Sequence, residues 1–321
     1  MKNILVTGVA GFIGSYLAED HLANGNQVWG VDNFSNGSLE NMSLLLGNPQ
    51  FKFIEHDVCD EIFIKKLLIE NEISEVWHLA ANTDIITSHA APLRDFKDCA
   101  QATVSILEAM RLSKTKKLIF ASSGSVYGNL GNGEAVSETV GPLKPLSTYG
   151  AGKLASEAFI SAYSNLYGLE SYVFRFGNVL GDRINHGVIF DFSRKLKADP
   201  KSLLVLGNGK QEKNYFRVKD CIEGMKYISE SKAAKNECLI VNLGNSSLTN
   251  VLRIAEIVIE ESGLLNTSIQ VEGKDLAWPG DQPIIRLDCS SAYKFGWKCE
   301  LDSEQAVRLT AQELLKLAQV I

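Results

Sequence analysis

No two of the six cysteines (Cys59, Cys99, Cys221, Cys238, Cys289, Cys299) stand as a Cys-x-x-Cys pair. The scatter gives no metal site and no disulfide framework, and is the usage expected of reduced thiols in a cytoplasmic protein. Positive charge is not in excess either. With 32 Lys and Arg against 38 Asp and Glu, the net charge of −6 argues against nucleic acid or an anionic membrane as the main partner. No uninterrupted apolar stretch reaches the ~18 residues that a membrane helix requires. The apolar N-terminal run is broken by Thr7, Gly8, Gly11 and Gly14 and shows no small-residue cleavage site before Glu19, so no signal peptide is expected. Repeats, low-complexity tracts and long charge runs are missing as well. What remains is a chain of 321 residues, 45% hydrophobic and 22% charged, long enough for one large or two modest domains.

The first chemistry-bearing pattern follows a short apolar run at 3–6. Gly8, Gly11 and Gly14, with Phe12 and Ile13 between them, form a glycine turn that opens into a helical pattern from Ser15 to Leu22. A tight turn at Gly8, close backbone approach at Gly11 and close helix packing at Gly14 would set a pyrophosphate at the helix N-terminus. The spacing is Gly-x-x-Gly-x-x-Gly, not Gly-x-Gly-x-x-Gly. A second apolar run, 27–31, ends in Asp32, 18 residues after Gly14, followed by Asn33. A carboxylate there accepts from an adenosine ribose and repels a 2′-phosphate, which favours NAD over NADP. A third run, 51–54, leads to Asp57 and Val58, a polar edge and an apolar face for adenine. A fourth, 75–79, reaches Leu79-Ala80-Ala81, small enough for a flat ligand to lie on the backbone; His78 beside it reads as packed rather than catalytic.

Apolar runs at 116–121 and 239–243 and helical patterns at 60–70, 92–113, 220–232, 250–262 and 303–319 complete an alternation that predicts an α/β chain with a doubly wound parallel sheet of Rossmann type. The expected division is a nucleotide-binding domain over 1–178, its sheet joined by a later strand near 239–243, and a smaller, discontinuous C-terminal substrate lobe over 179–321.

The fifth run ends in Ser122-Ser123-Gly124-Ser125. Beyond it, Ser147 is a plausible N-cap for a helix carrying Tyr149 and Lys153. Four residues apart on a helix, phenol and ammonium share a face. A phenol of pKa ~10 is about 0.1% ionised at neutral pH, and bringing that pKa down to about 7 takes about 4 kcal/mol. A cation ~6 Å away at an effective dielectric of ~20 supplies about 2.8 kcal/mol. The expectation is that Lys153, aided by a charged nicotinamide, makes Tyr149 a base. The spacing alone is weak evidence, since it recurs at Tyr215 and Lys219.

Together Thr7-Gly8, Gly11, Gly14, Asp32-Asn33, Asp57-Val58, His78 to Ala81, Ser122-Ser123, Val126-Tyr127-Gly128, Tyr149, Lys153, Arg175 and Asn178-Val179 resemble the extended short-chain dehydrogenase/reductases. Within these the likeness is to the nucleotide-sugar epimerases and dehydratases, particularly the UDP-glucose 4-epimerases. The resemblance implies NAD as cofactor, a nucleotide-diphosphate sugar as substrate, no metal, and a homodimer paired through helices at roughly 92–113 and 149–167. It implies Tyr149 as acid/base at the sugar C4 hydroxyl, Lys153 on the nicotinamide ribose, Ser123 on the same hydroxyl, and Ser125, Asn178, Val188, Lys213, Tyr215 and Trp278 toward the substrate.

Five positions depart from or sort the pattern. Dehydratases of this family carry Asp and Glu where this chain has Gly124 and Ser125, and UDP-glucuronate decarboxylases a Glu at the second. Both reactions are disfavoured, leaving a 4-epimerase ahead of a C4 dehydrogenase that releases the keto sugar. A non-catalytic NAD-binding regulator is the reading from a different class. Lys213 replaces a diphosphate-clamping arginine, Trp278 replaces a second arginine, and Cys99 stands where many relatives carry asparagine.

Overall fold

A computed structural model describes residues 1–83, 90–130, 133–231, 234, 237–275, 277, 282 and 284–320. The chain forms two compact units. The first takes Met1–Val126, Ser147–Arg175 and Ile222–Val241, and the second Tyr127–Leu146, Phe176–Cys221 and Asn242–Ile321. Residues 127–146 and 222–241 therefore lie on the other side of the division from where a single cut at 178 would put them.

The first unit is built on a seven-stranded sheet of β1 (Asn3–Thr7), β2 (Gln27–Asp32), β3 (Phe51–Glu55), β4 (Glu75–His78), β5 (Lys117–Ser123), β6 (Glu170–Phe176) and β7 (Cys238–Leu243). The order is β7-β6-β5-β4-β1-β2-β3, and β1 pairs in parallel with both β2 and β4. The strand order thus reverses beside β1, the place where a doubly wound sheet opens a crevice at its carboxyl ends. Ile4, Leu5 and Val6 are all fully buried. That continuous burial, without alternation, is what a parallel strand covered on both faces requires. Leu5, Val76, Leu118, Phe120 and Val173 of the sheet pack with Ile64, Leu67 and Leu68 of α1 (Glu61–Glu70) and with Ile106, Leu107 and Met110 of α2 (Ala102–Arg111).

Two features differ from the sequence expectation. The strand β6 has no clear signal in the sequence: only two residues separate it from the helix that carries Tyr149, and Arg175 interrupts its apolar run. The helix expected over 92–113 is not uniform, since Pro92–Asp95 passes into a π-helical turn, Phe96–Gln101, before α2.

Buried polar groups bind these elements together. His78 meets Thr7 Oγ1 through Nδ1 at 2.7 Å and Thr103 Oγ1 through Nε2 at 3.2 Å. Thr103 Oγ1 lies 3.0 Å from Ser156 Oγ, which donates to the carbonyl of Gly152. His78 is therefore structural in placement, linking two strands to two helices. Beneath the end of β5, Glu157 forms a forked pair with Arg175 of β6 at 2.7–3.2 Å and accepts from Ser122 Oγ at 2.5 Å, with both charged side chains 3% exposed.

In the second unit Asn178–Leu180 pairs in parallel with Tyr215–Arg217, and Ser202–Val205 with Ser268–Val271. Glu212–Lys213 lies between Thr249–Asn250 and Ile284–Ile285. The helix Ser303–Leu317 starts at a capping box of Asp302 and Gln305 and is held by Arg217, which donates to Glu313 at 2.7 and 2.8 Å. Among the described residues no helix is long and apolar enough to cross a membrane.

Removing one partner from a buried ion pair strands the other charge. Glu157→Gln should destabilise the protein by about 3–5 kcal/mol in urea unfolding; a loss within 1 kcal/mol would contradict the role given to this pair. A second prediction concerns acid. Burial lowers the His21 pKa from 6.5 to about 4, against the opposing pull of Glu75 and Asp20. The unfolded chain takes up a proton below pH 6.5 that the folded chain refuses until about pH 4, so stability falls as pH drops through that window. His21 accounts for about 2 kcal/mol between pH 7.5 and pH 5. Urea midpoints of His21→Leu should fall less over that range than those of the parent chain.

Candidate active site

The helix carrying Tyr149 and Lys153 is α3 (Thr148–Tyr167). Ser147 caps it, its hydroxyl accepting from the Gly150 amide at 3.1 Å, and Gly168 ends it in the left-handed conformation. Capping by the side chain immediately before Thr148 fixes where the first turn begins, and so where the Tyr149 ring leaves the helix.

Both key side chains are buried. Lys153 is 2% exposed and Tyr149 9%. The Lys153 ammonium donates to the carbonyl of Ala121 at 2.6 Å, lies 4.7 Å from the Phe120 ring centroid and 6.0 Å from that of Tyr149. That separation is the one helical spacing suggests, yet the phenol moves the opposite way from expectation. Burial pushes the Tyr149 pKa well above its ordinary value, Cys99 adds to the rise, a hydrogen bond with Ser123 works against it, and Asp95 adds a little more. Burial also lowers the Lys153 pKa. In a dry site the cost of desolvating a phenolate exceeds what one cation returns. In the protein chain alone, Tyr149 is a phenol at neutral pH.

Ser123 Oγ lies 2.8 Å from Ser125 Oγ and accepts from the Ser125 amide at 3.1 Å. The first unit thus brings together Tyr149, Lys153 and Ser123. The second unit holds Asn178, Val188, Lys213 and Tyr215. Asn178 and Tyr215 are register partners on adjacent strands, Val188 opens the helix Val188–Ala198, and Lys213 precedes Asn214, whose carbonyl accepts from the Asn178 amide at 3.0 Å. Trp278 lies outside the described residues. The Tyr215–Lys219 pair is separated by structure, with Tyr215 on a strand and Lys219 on the following helix, 3.6 Å from Glu300 and exposed to solvent.

The residues expected to meet a dinucleotide are in the first unit. Gly8 has φ +71°, and a Cβ there would come within 2.7 Å of the Ala80 amide nitrogen. A Cβ on Gly14 would lie 2.1 Å from the Gly8 carbonyl oxygen. No side chain fits at either place, so the turn stays open as bare backbone beside Leu79, Ala80 and Ala81, at the N-terminus of the helix Phe12–Ala23. Asp32 accepts from the amides of Ala10 at 3.0 Å and Phe34 at 2.8 Å, one on each oxygen, leaving lone pairs on both. Burial raises its pKa. Asp57 accepts from Lys97 Nζ at 2.7 Å and from the Cys59 amide at 2.9 Å; partial burial raises its pKa, but these two donors bring it below the ordinary carboxylate value. Lys153 has three protons and, among the described residues, one acceptor, Ala121 O. Two buried donors thus remain for ligand hydroxyls, which fits a nicotinamide ribose.

Sequence reasoning missed several contributors. Asp95, fully buried, accepts from Thr148 Oγ1 at 2.5 Å and from Asn82 Nδ2 at 2.7 Å. Asn214, fully buried, fills the space over Gly177 and Gly244, where a Cβ would meet its amide at 2.3 and 2.5 Å. Neither has a local spacing signal, because these partners all lie 13 or more residues away in the sequence.

The family model for GDP-mannose 4,6 dehydratase matches residues 5–310. A protein of Methanocaldococcus jannaschii, provisionally named a UDP-glucose 4-epimerase, is 33% identical over 95% of this chain and 96% of its own length. A UDP-glucuronic acid decarboxylase of Danio rerio is 29% identical over 80% of this chain and 60% of its own length. A solved structure of UDP-glucuronic acid 4-epimerase from Bacillus cereus, with UDP-glucuronic acid and NAD, is 28% identical and superposes with a TM-score of 0.88 over 98% of this chain and 99% of that one. With the sheet order, the glycine turn and the buried tyrosine and lysine, these matches establish that the chain is an enzyme of the extended short-chain dehydrogenase/reductase family, the NAD-dependent nucleotide-sugar epimerases and dehydratases.

Proposed function

We propose that the chain is an NAD-dependent nucleotide-sugar 4-epimerase working through a 4-keto intermediate. The observation that carries the choice of reaction is the turn after β5. By the family resemblance, Ser125, whose Oγ lies 2.8 Å from the Ser123 hydroxyl, stands where dehydratases and decarboxylases of the family carry a carboxylate, and Gly124, at the dehydratases' second such position, has no side chain. Elimination of water across C5 and C6 needs an acid and a base that this turn does not supply. Reversible oxidation at C4 needs an acid/base only at the C4 hydroxyl, the role given to Tyr149 below.

When bound, NAD supplies the hydride acceptor and a positive charge that opposes the burial penalty on a Tyr149 phenolate. Tyr149 takes the proton of the C4 hydroxyl and returns it when the carbonyl is reduced. Ser123 hydrogen-bonds the same oxygen and holds it toward the phenol. Lys153 binds the nicotinamide ribose through the protons that Ala121 leaves free. Gly8, Gly11, Phe12, Ile13 and Gly14 would hold the pyrophosphate, Asp32 and Asn33 the adenosine ribose, Asp57 and Val58 the adenine, and Leu79, Ala80 and Ala81 the nicotinamide side. Asn178, Val188, Lys213, Tyr215 and Trp278, with Ser125, are the proposed contacts to a nucleotide-diphosphate sugar, UDP-linked by analogy with the relatives.

The proposed assembly is a homodimer, supported by exposed Leu93 and Phe96 on one pairing segment and Phe159 and Leu166 on the other. Six free thiols support a cytoplasmic location.

Incubation with UDP-hexoses should interconvert C4 epimers with no net change in NADH absorbance. Stoichiometric NAD reduction with release of a keto sugar would replace this reading by a C4 dehydrogenase. Tyr149→Phe should keep its fold and bound cofactor while kcat drops by about 10²–10⁴-fold; undiminished turnover would remove Tyr149 from the acid/base role.

A further inference from the structure

We propose that Asp95 is a positioning residue that fixes the acid/base tyrosine by tying the first turn of its helix to the loop after β4. The inference rests on the role given to Tyr149 above.

Asp95 ends the short helical stretch Pro92–Asp95 and is 0% exposed. One carboxylate oxygen accepts from Thr148 Oγ1 at 2.5 Å, and the other from Asn82 Nδ2 at 2.7 Å. Thr148 is the first residue of α3 and the immediate neighbour of Tyr149. Asn82 follows Ala80 and Ala81, the small residues at the end of β4. One buried carboxylate therefore joins two walls of the site that the sequence holds 66 residues apart. Charge-assisted hydrogen bonds of this length are short and directional.

The packing next to it closes the same joint. The π-helical turn Phe96–Gln101 begins at the residue after Asp95 and presents Cys99 to Gly152. A Cβ on Gly152 would lie 2.9 Å from Cys99 Cβ and 3.1 Å from the Asp95 carbonyl oxygen. The start of α3 is thus held twice, by the Cys99 side chain and the Asp95 carbonyl packed against Gly152 and by the carboxylate through Thr148. Wide turns of this kind recur where a helix must bring a particular side chain to a functional site. A negative charge beside Tyr149 also opposes its ionisation, so Asp95 acts on both the direction and the protonation of the phenol.

Charge and tie can be separated. Asp95→Asn keeps the shape and can still bond Thr148 and Asn82, but loses the charge. Asp95→Ala and Thr148→Val lose the tie, and Thr148→Ser keeps it. In the epimerase assay, Thr148→Val and Asp95→Ala should lower kcat by about tenfold or more with KM within threefold, and Thr148→Ser should recover kcat to within twofold. In Asp95→Asn the limb of the pH–rate profile that Tyr149→Phe abolishes should move to lower pH.

Hydrogen exchange followed by mass spectrometry reads the tie without substrate. Peptides covering 80–83 and 148–155 should exchange at least fivefold faster in Thr148→Val and at the parent rate in Thr148→Ser. If these peptides keep the parent rate in Thr148→Val, the tie is refuted whatever the protein catalyses. A faster exchange with kcat within twofold of the parent refutes the positioning role. A parent protein that interconverts no C4 epimers refutes the proposed reaction instead, and leaves the exchange result to decide the tie.

Discussion

The chemistry proposed for the first unit depends on keeping the side chains of Tyr149 and Lys153 out of water. Burying Tyr149 and Lys153 pushes both toward their neutral forms, against the ionised tyrosine that proton abstraction requires. The site is therefore set for chemistry only in company. Ser123 supplies one stabilising hydrogen bond, and in the proposed reaction the cofactor would supply the charge. In the proposed reaction this arrangement would couple the base to cofactor occupancy, because burial holds Tyr149 toward the acid form in the chain alone.

Around that pair the structure consists of devices that hold the crevice in shape. The forked Glu157–Arg175 pair takes the hydroxyl of Ser122 and fixes the end of β5 just before Ser123. The chain from Thr7 through His78 and Thr103 to Ser156 fixes β4 and α3 in mutual register. None of these groups needs to touch substrate to matter, since a displacement of 1 Å at the reacting atoms can cost two orders of magnitude in rate.

Six of the seven sheet strands and the cofactor turn were legible in the sequence because their signals are local. Apolar runs mark buried parallel strands, glycines at fixed spacing mark the turn, and Ser147 marks the helix start. The π-helical turn at Phe96–Gln101 was not legible, as nothing in a continuous helical pattern announces an extra residue in one turn. Asp95, Asn82 and Asn214 escaped for a related reason. Their meaning comes from partners that only folding brings near, and a lone Asp after proline reads as an ordinary first-turn acid. The direction of the Tyr149 shift in the chain alone is not legible either, because spacing gives the distance to Lys153 but not the dielectric around it.

The way the chain passes between its two units has a consequence for biosynthesis. β7 lies at one edge of the sheet beside β6 and is the last of the seven strands in the sequence. Until Cys238–Leu243 has left the ribosome, β6 carries an open edge with Tyr172, Val173 and Phe174, all destined for full burial. An unpaired apolar edge is a template for association with other chains. The nascent protein therefore passes through an interval of about 65 residues, several seconds at ordinary elongation rates, in which six of the seven strands have been synthesised and the strand that covers this edge has not.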